Sequence, residues 1–148
     1  MWRQAQTPKF DPSYTISTDG RDFQVRVPRD EKEKNRGYRE VERIGSDECM
    51  LFMYPTPRAM TFTMEHCKVG LRIVFCDSMY RVLQVSDAMP GVKEVPCNNT
   101  ACQNVIEFAL APRPPLVRRQ DTIVVTRTGF KQEVLGMDAF LQSVFGLN

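Results

Sequence analysis

The side chains best suited to chemistry are one histidine, His66, and five cysteines, Cys49, Cys67, Cys76, Cys97 and Cys102. Thiolates and imidazole together are what a tetrahedral zinc site uses. The spacing argues against one: there is no Cys-x-x-Cys knuckle, and Cys97 and Cys102 stand at the loose end of the usual range. His66 and Cys67 adjoin, but neighbours on an extended segment point to opposite faces, which works against a base and nucleophile pair. Asp121 has no second carboxylate at readable spacing and suits a turn better than acid or base catalysis. The glycines are isolated, so the sequence carries no phosphate-cradling loop. The expectation is inert thiols packed as small hydrophobes, no resident metal or cofactor, and no enzyme.

Short strands must position these residues. Between Cys49 and Ser86 four apolar runs, Met50–Tyr54, Met60–Met64, Leu71–Phe75 and Tyr80–Val85, are separated by breaks rich in Pro, Gly, Asp and Ser. Such bounded runs are strand signals. Met60, Phe62 and Met64 alternate with Thr61 and Thr63, and Leu71, Ile73 and Phe75 alternate less cleanly with Arg72 and Val74. Further strands are expected over Phe23–Val27, Val105–Leu110 and Ile123–Thr128. Asp30–Arg36 has room for one or two helical turns, with Asp30 as N-cap and Gly37 as stop, on a solvated surface of mixed charge. Asp87–Cys102 is expected to be a long connection. The fold class is therefore mainly β: a small curled barrel-like or sandwich sheet of six to seven strands.

The two ends look different. Residues 1–22 have no sustained period and are expected to form an irregular N-terminal arm carrying Trp2, Phe10 and Tyr14. Residues 23–128 form the β domain. The tail, 129–148, is expected to hold a short amphipathic helix capped by Asp138 and stopped by Gly146, with Phe140, Leu141, Val144 and Phe145 as its apolar residues. An arm and a helical stripe of this kind pack either on their own domain or on a partner.

Composition limits the partners. The chain has 148 residues and a net charge of +2, enough for one domain with a core and too little charge to steer it to nucleic acid. Arg113, Arg118 and Arg119 make a local positive cluster without aromatics beside it for base stacking. No apolar run approaches the roughly 18 to 20 residues that span a bilayer. Met1 is followed by no apolar signal segment, so synthesis in the reducing cytoplasm is expected, with free thiols. A Cys97–Cys102 bridge is geometrically conceivable. In that compartment Asn98-Asn99-Thr100 is a chance glycosylation match.

A resemblance adds to this reading. Arg36-Gly37-Tyr38, Cys49-Met50-Leu51-Phe52, Phe62-Thr63-Met64-Glu65-His66-Cys67, Gly70-Leu71-Arg72, Phe75, Pro96-Cys97, Val105-Ile106-Glu107-Phe108 and Gln120-Asp121 follow one another at workable spacing. In this order the chain resembles domain-of-unknown-function family 192, a small β-rich domain of bacteria and archaea, over roughly Phe23 to Thr128. The resemblance implies the fold. At the family's polar and shape-setting positions the chain departs: Thr63 stands for Trp, His66 for Asn, Gly70 for Pro and Arg72 for Asp.

A kept frame with a changed polar signature suggests a changed role. The leading expectation is a non-catalytic structural subunit of a larger assembly or homo-oligomer, such as a phage or virus particle. Contacts to other copies or subunits would come from Trp2, Phe10, Tyr14, Arg72, Arg113, Arg118, Arg119, Phe140, Leu141, Val144 and Phe145. The alternative is a cytoplasmic binding domain for a small ligand or peptide, with Met50, Met60, Phe62 and Met64 lining a concave surface. A zinc protein using His66 and the cysteines ranks third.

Overall fold

Alternating and fully apolar strand sequences build a sheet that is buried on both faces at its centre. The computed structural model describes residues 6–128. Seven strands form the main sheet: β1 (Phe10–Thr18), β2 (Arg21–Arg26), β3 (Glu48–Met53), β5 (Leu71–Cys76), β6 (Val82–Ala88), β8 (Asn104–Ala109) and β9 (Val124–Arg127). Two short strands, β4 (Met60–Phe62) and β7 (Val95–Cys97), pair separately. The main sheet has the order β6-β5-β8-β3-β2-β1-β9.

One parallel pair fixes the architecture. Val25 stands beside Cys49 where β2 meets β3. Parallel neighbours need a crossover, and residues 27–47 supply it, including the helix α1 (Glu31–Arg36). The helix has the expected ends: the Asp30 carboxylate accepts from Glu33 N at 2.8 Å, and Gly37 N donates to Glu33 O at 3.0 Å. Glu48 holds the crossover down on β3. Its carboxylate accepts from Arg26 Nε at 2.6 Å, from Tyr38 Oη at 3.2 Å and from Gly45 N at 2.8 Å.

The sheet curls into a half-barrel with two apolar regions. Its hollow holds Ile16, Phe23, Leu51, Val74, Ile106, Phe108, Ile123 and Val125. The other face carries Met50, Phe52, Leu71, Ile73, Phe75 and Val105, and is covered by Tyr38, Val41 and Ile44 of the crossover and by Met60, Met64, Val95 and Cys97 of the β4–β7 layer. Burial on both faces is why Val74 breaks the alternation of β5 and why every residue of β8 is buried. At one end the two margins of the sheet are tied together: Val82 N donates to Asp121 O, Gln120 N to Val82 O, and Ile123 N to Tyr80 O.

Two sequence expectations are corrected and a third falls outside the described residues. The arm is not irregular over its whole length, because Phe10–Thr18 is a strand that pairs with both β2 and β9. Its alternation is masked by a bulge between Phe10 and Thr15, where Pro12 sits and where Asp11 accepts from Ser13 N and Oγ. The domain accordingly begins before residue 23. The connection 87–102 is not structureless, since it holds β7. The expected helix of the tail, with Phe140, Leu141, Val144 and Phe145, and the aromatic Trp2 lie outside the described residues.

Candidate functional site

The covered face of the sheet is incompletely filled beneath the crossover. A cavity of about 210 Å³ opens there between α1 with the turn after it, the β3–β4 region and the sheet. Its floor is apolar, from Phe52, Phe62 and Leu71. Phe52 and Phe62 meet edge to face with centroids 5.2 Å apart. Into this floor β8 projects one carboxyl group, Glu107, which stands between Met50 and Ile73 in register and is only 4% exposed. Among the described residues no hydrogen bond or ion pair engages that carboxyl. Burial alone pushes its pKa up to about 8, because desolvation disfavours the charged form.

The rim is basic. Lys34, Arg36, Arg39 and Arg58 line it, against one further acid, Glu31. Tyr54 is held between two of them, with Lys34 Nζ 4.4 Å and Arg58 Cζ 4.9 Å from its ring centre. Burial pushes the Tyr54 phenol up to about 12. Arg39 Nε is buried and has no hydrogen-bond partner among the described residues. Gly37 stands between helix and floor with φ 47° and ψ −130°, a conformation that glycine alone adopts readily. A Cβ there would lie 3.6 Å from the Phe52 ring and 3.9 Å from Glu107 Oε1, so the missing side chain keeps the approach to the carboxyl open.

Of the residues first suspected of chemistry, Cys97 and Cys102 are brought side by side without a bridge, with Cys76 near Cys102, while His66 and Cys67 stand apart from them. Cys67 lines the cavity and its thiol is pushed up to about 11, first by burial, which leaves little nucleophilic thiolate. His66 beside it is exposed and has φ 65°. A polar residue at such a turn can cap it through its side chain. Here the His66 backbone carbonyl accepts from Glu40 N at 2.7 Å. All five cysteines are free, and Cys49, Cys76, Cys97 and Cys102 are buried. Among the described residues no His, Cys, Asp or Glu group is arranged to hold a metal. Asp121 is the turn residue expected, accepting from Arg118 N at 2.8 Å.

The proposed contact residues scatter. Tyr14 is core, 7% exposed, its hydroxyl 3.8 Å from Met53 Sδ, because the alternation of β1 turns it inward with Ile16. Phe10 is partly exposed under the Arg26 guanidinium, 3.9 Å from its ring centre. Arg72 is engaged within the chain, donating twice to Asp87 and once to Pro115 O. The arginine cluster divides. The Arg113 carbonyl accepts from Arg21, on the β1–β2 hairpin, whereas exposed Arg118 and Arg119 lie beside Leu83 and Gln84 of β6. Met50, Met60 and Met64 are core, and of that expected surface only Phe62 reaches the cavity.

Glu107 is the central residue that chemical reasoning from sequence passed over. It is noted only within the Val105-Ile106-Glu107-Phe108 resemblance, although a lone carboxylate inside an apolar strand was itself a signal.

Comparison with known proteins agrees with this frame. A crystal structure of a protein of unknown function from Novosphingobium aromaticivorans superposes with a TM-score of 0.61 at 22% identity, covering 83% of this chain and 98% of that one. A candidate transcription regulator from Sinorhizobium meliloti gives 0.59 at 19% identity, covering 74% and 89%. These likenesses show the fold. No curated protein matches the chain. The family profile described as "Uncharacterized ACR" matches residues 14–110. It begins inside β1 and ends with β8 and the residue that follows it, so Gln120-Asp121 falls beyond it. With two thirds of its length matched, the chain belongs to the DUF192 family.

Proposed function

We propose that this domain binds a small polar ligand in the cavity over Glu107 and performs no chemistry on it. The observation that carries this reading is the buried Glu107 carboxyl, without a partner among the described residues, at the end of an open cavity. The carboxyl opens onto the cavity, and a ligand donating to it would add a hydrogen bond, worth about 0.5 to 1.5 kcal/mol, that the described residues do not supply. A volume of about 210 Å³ lies below the roughly 300 to 1,000 Å³ of drug-sized sites and suits a compact metabolite. The protonated Cys67 thiol favours binding over catalysis.

Cys67 supplies the test. It is the one cysteine not fully buried, and it lines the cavity. Alkylation by a maleimide, read by mass spectrometry, should modify Cys67 first. Compounds from a library of amino acids, organic acids, nucleosides and sugars that occupy the cavity should slow that reaction. If none of them slows it or raises the melting temperature, the reading fails.

A second reading, a subunit of a larger assembly such as a phage or virus particle, is favoured by a different observation. Strand β9 ends the sheet, so one of its edges has no strand beside it among the described residues, and Val124 on it is exposed. Such an edge can accept a strand from a second copy. Light scattering of the full chain and of its Val124→Lys variant, which places a charge on that exposed edge, should then give an oligomer and a smaller species respectively. A monomer in both cases excludes this reading.

A further inference from the structure

The cavity presents two unmet needs of opposite character. At its floor the Glu107 carboxyl requires a donor. On its wall the buried Arg39 Nε requires an acceptor. Between them lie the rings of Phe52 and Phe62. A ligand with only an anionic group would be drawn to the basic rim but would bring no charged donor to the carboxyl at the floor. One with only a cationic group would meet the carboxyl after passing four cationic side chains. A single small molecule carrying both groups answers both.

We propose that the ligand is a zwitterion of α-amino-acid size, its ammonium on Glu107, its carboxylate on Arg39 and the rim cations, and its apolar side chain against Phe52 and Phe62. This assignment rests on the binding reading above. Charge-assisted hydrogen bonds at both ends are stronger than neutral ones, and the aromatic floor selects an apolar side chain over a polar one. The open approach at Gly37 leaves room for the ammonium at the carboxyl.

Binding also has a proton signature. The Glu107 pKa of about 8 keeps the empty site mostly protonated at pH 7. An ammonium seated there favours the carboxylate, so one proton leaves Glu107 for the buffer on binding.

The probes are L-leucine, 3-methylbutylamine, which lacks the carboxylate, and 4-methylpentanoate, which lacks the ammonium. Titration calorimetry at pH 7 in phosphate and in Tris reads affinity and proton release together, while Cys67 alkylation reads occupancy. L-leucine should bind at least ~10-fold more tightly than either analogue and release close to one proton. Glu107→Gln should abolish the release and weaken L-leucine ~10-fold or more. Should that variant fail to fold, the two-buffer comparison on the natural chain still decides. Equal binding of 4-methylpentanoate, or binding of L-leucine without proton release, overturns the zwitterion. Protection of Cys67 by other library compounds but not by L-leucine also overturns it and leaves the cavity as a site. Absence of protection by every compound overturns both.

Discussion

Glu107 sets the pH behaviour of the domain as well as its candidate chemistry. Its pKa is raised from an ordinary 4.5 to about 8 by burial, so between those values the folded chain holds a proton that the unfolded chain has lost. Stability from this group is therefore full below about pH 4.5 and falls as pH rises through the window to about 8, with no further loss above it. At about 1.4 kcal/mol per pH unit the total is on the order of 3 to 5 kcal/mol. Glu107→Gln should consequently lose less stability than the natural chain between pH 5 and pH 8, by several kcal/mol in urea titrations at the two pH values. Equal losses in both proteins would mean that the carboxyl is ionised throughout. The side chains around it, Lys34, Arg36, Arg39, Arg58, Glu31, Tyr38, Tyr54 and Cys67, are common to both proteins and cancel in the difference. His66 shows what a residue's type can and cannot say. At its left-handed φ of 65° an Asn, as the family has there, is favoured, and a His is tolerated better than most residues. His66 therefore keeps a residue type that this backbone shape tolerates.

Elements were legible where their signals were local. The helix α1 was readable because Asp30 and Gly37 punctuate it, and both perform those roles. Asp30→Ala should cost about 1 kcal/mol, measured by urea unfolding. Gly37→Ala should cost about 1 to 3 kcal/mol from its backbone conformation and should also crowd Glu107. Strand β1 was obscured because its buried apolar residues reduce to Tyr14 and Ile16 beside a bulge that contains a proline. Arg72 joins β5 to β6 through Asp87 and reaches the 112–117 connection at Pro115. It is partly exposed and Asp87 more so, so solvent screening discounts the pair. Arg72→Ala should lower stability by about 1 kcal/mol, a fall of roughly 3 to 6 °C in melting temperature. A change below one degree would show the bridge to be idle.

At the scale of the molecule, one sheet separates two apolar regions and belongs to both. Ile16 in the hollow and Met64 under the crossover are fully buried. Ile16→Ala and Met64→Ala should each cost about 2 to 5 kcal/mol, and each should leave a single unfolding transition, followed by tyrosine fluorescence and far-ultraviolet dichroism together. Transitions that part in either variant would mean that the layers unfold separately. The mainly β class could be read from the apolar runs. The cavity could not, because it arises where a parallel crossover, a short strand pair and one carboxylate strand converge from residues far apart in sequence.

The order of strands has a consequence for synthesis. The last strand, β9, lies against the first, β1, and β3 waits for β8. A growing chain on the ribosome therefore carries β1 and β3 with unmatched backbone until most of the sequence has emerged, since non-local pairing must wait for both partners. Fragments released early would expose those strands to one another. Translation through β9 has to finish before the hollow can close around Ile16 and Val125, so the emergence of β9 gates folding of the domain.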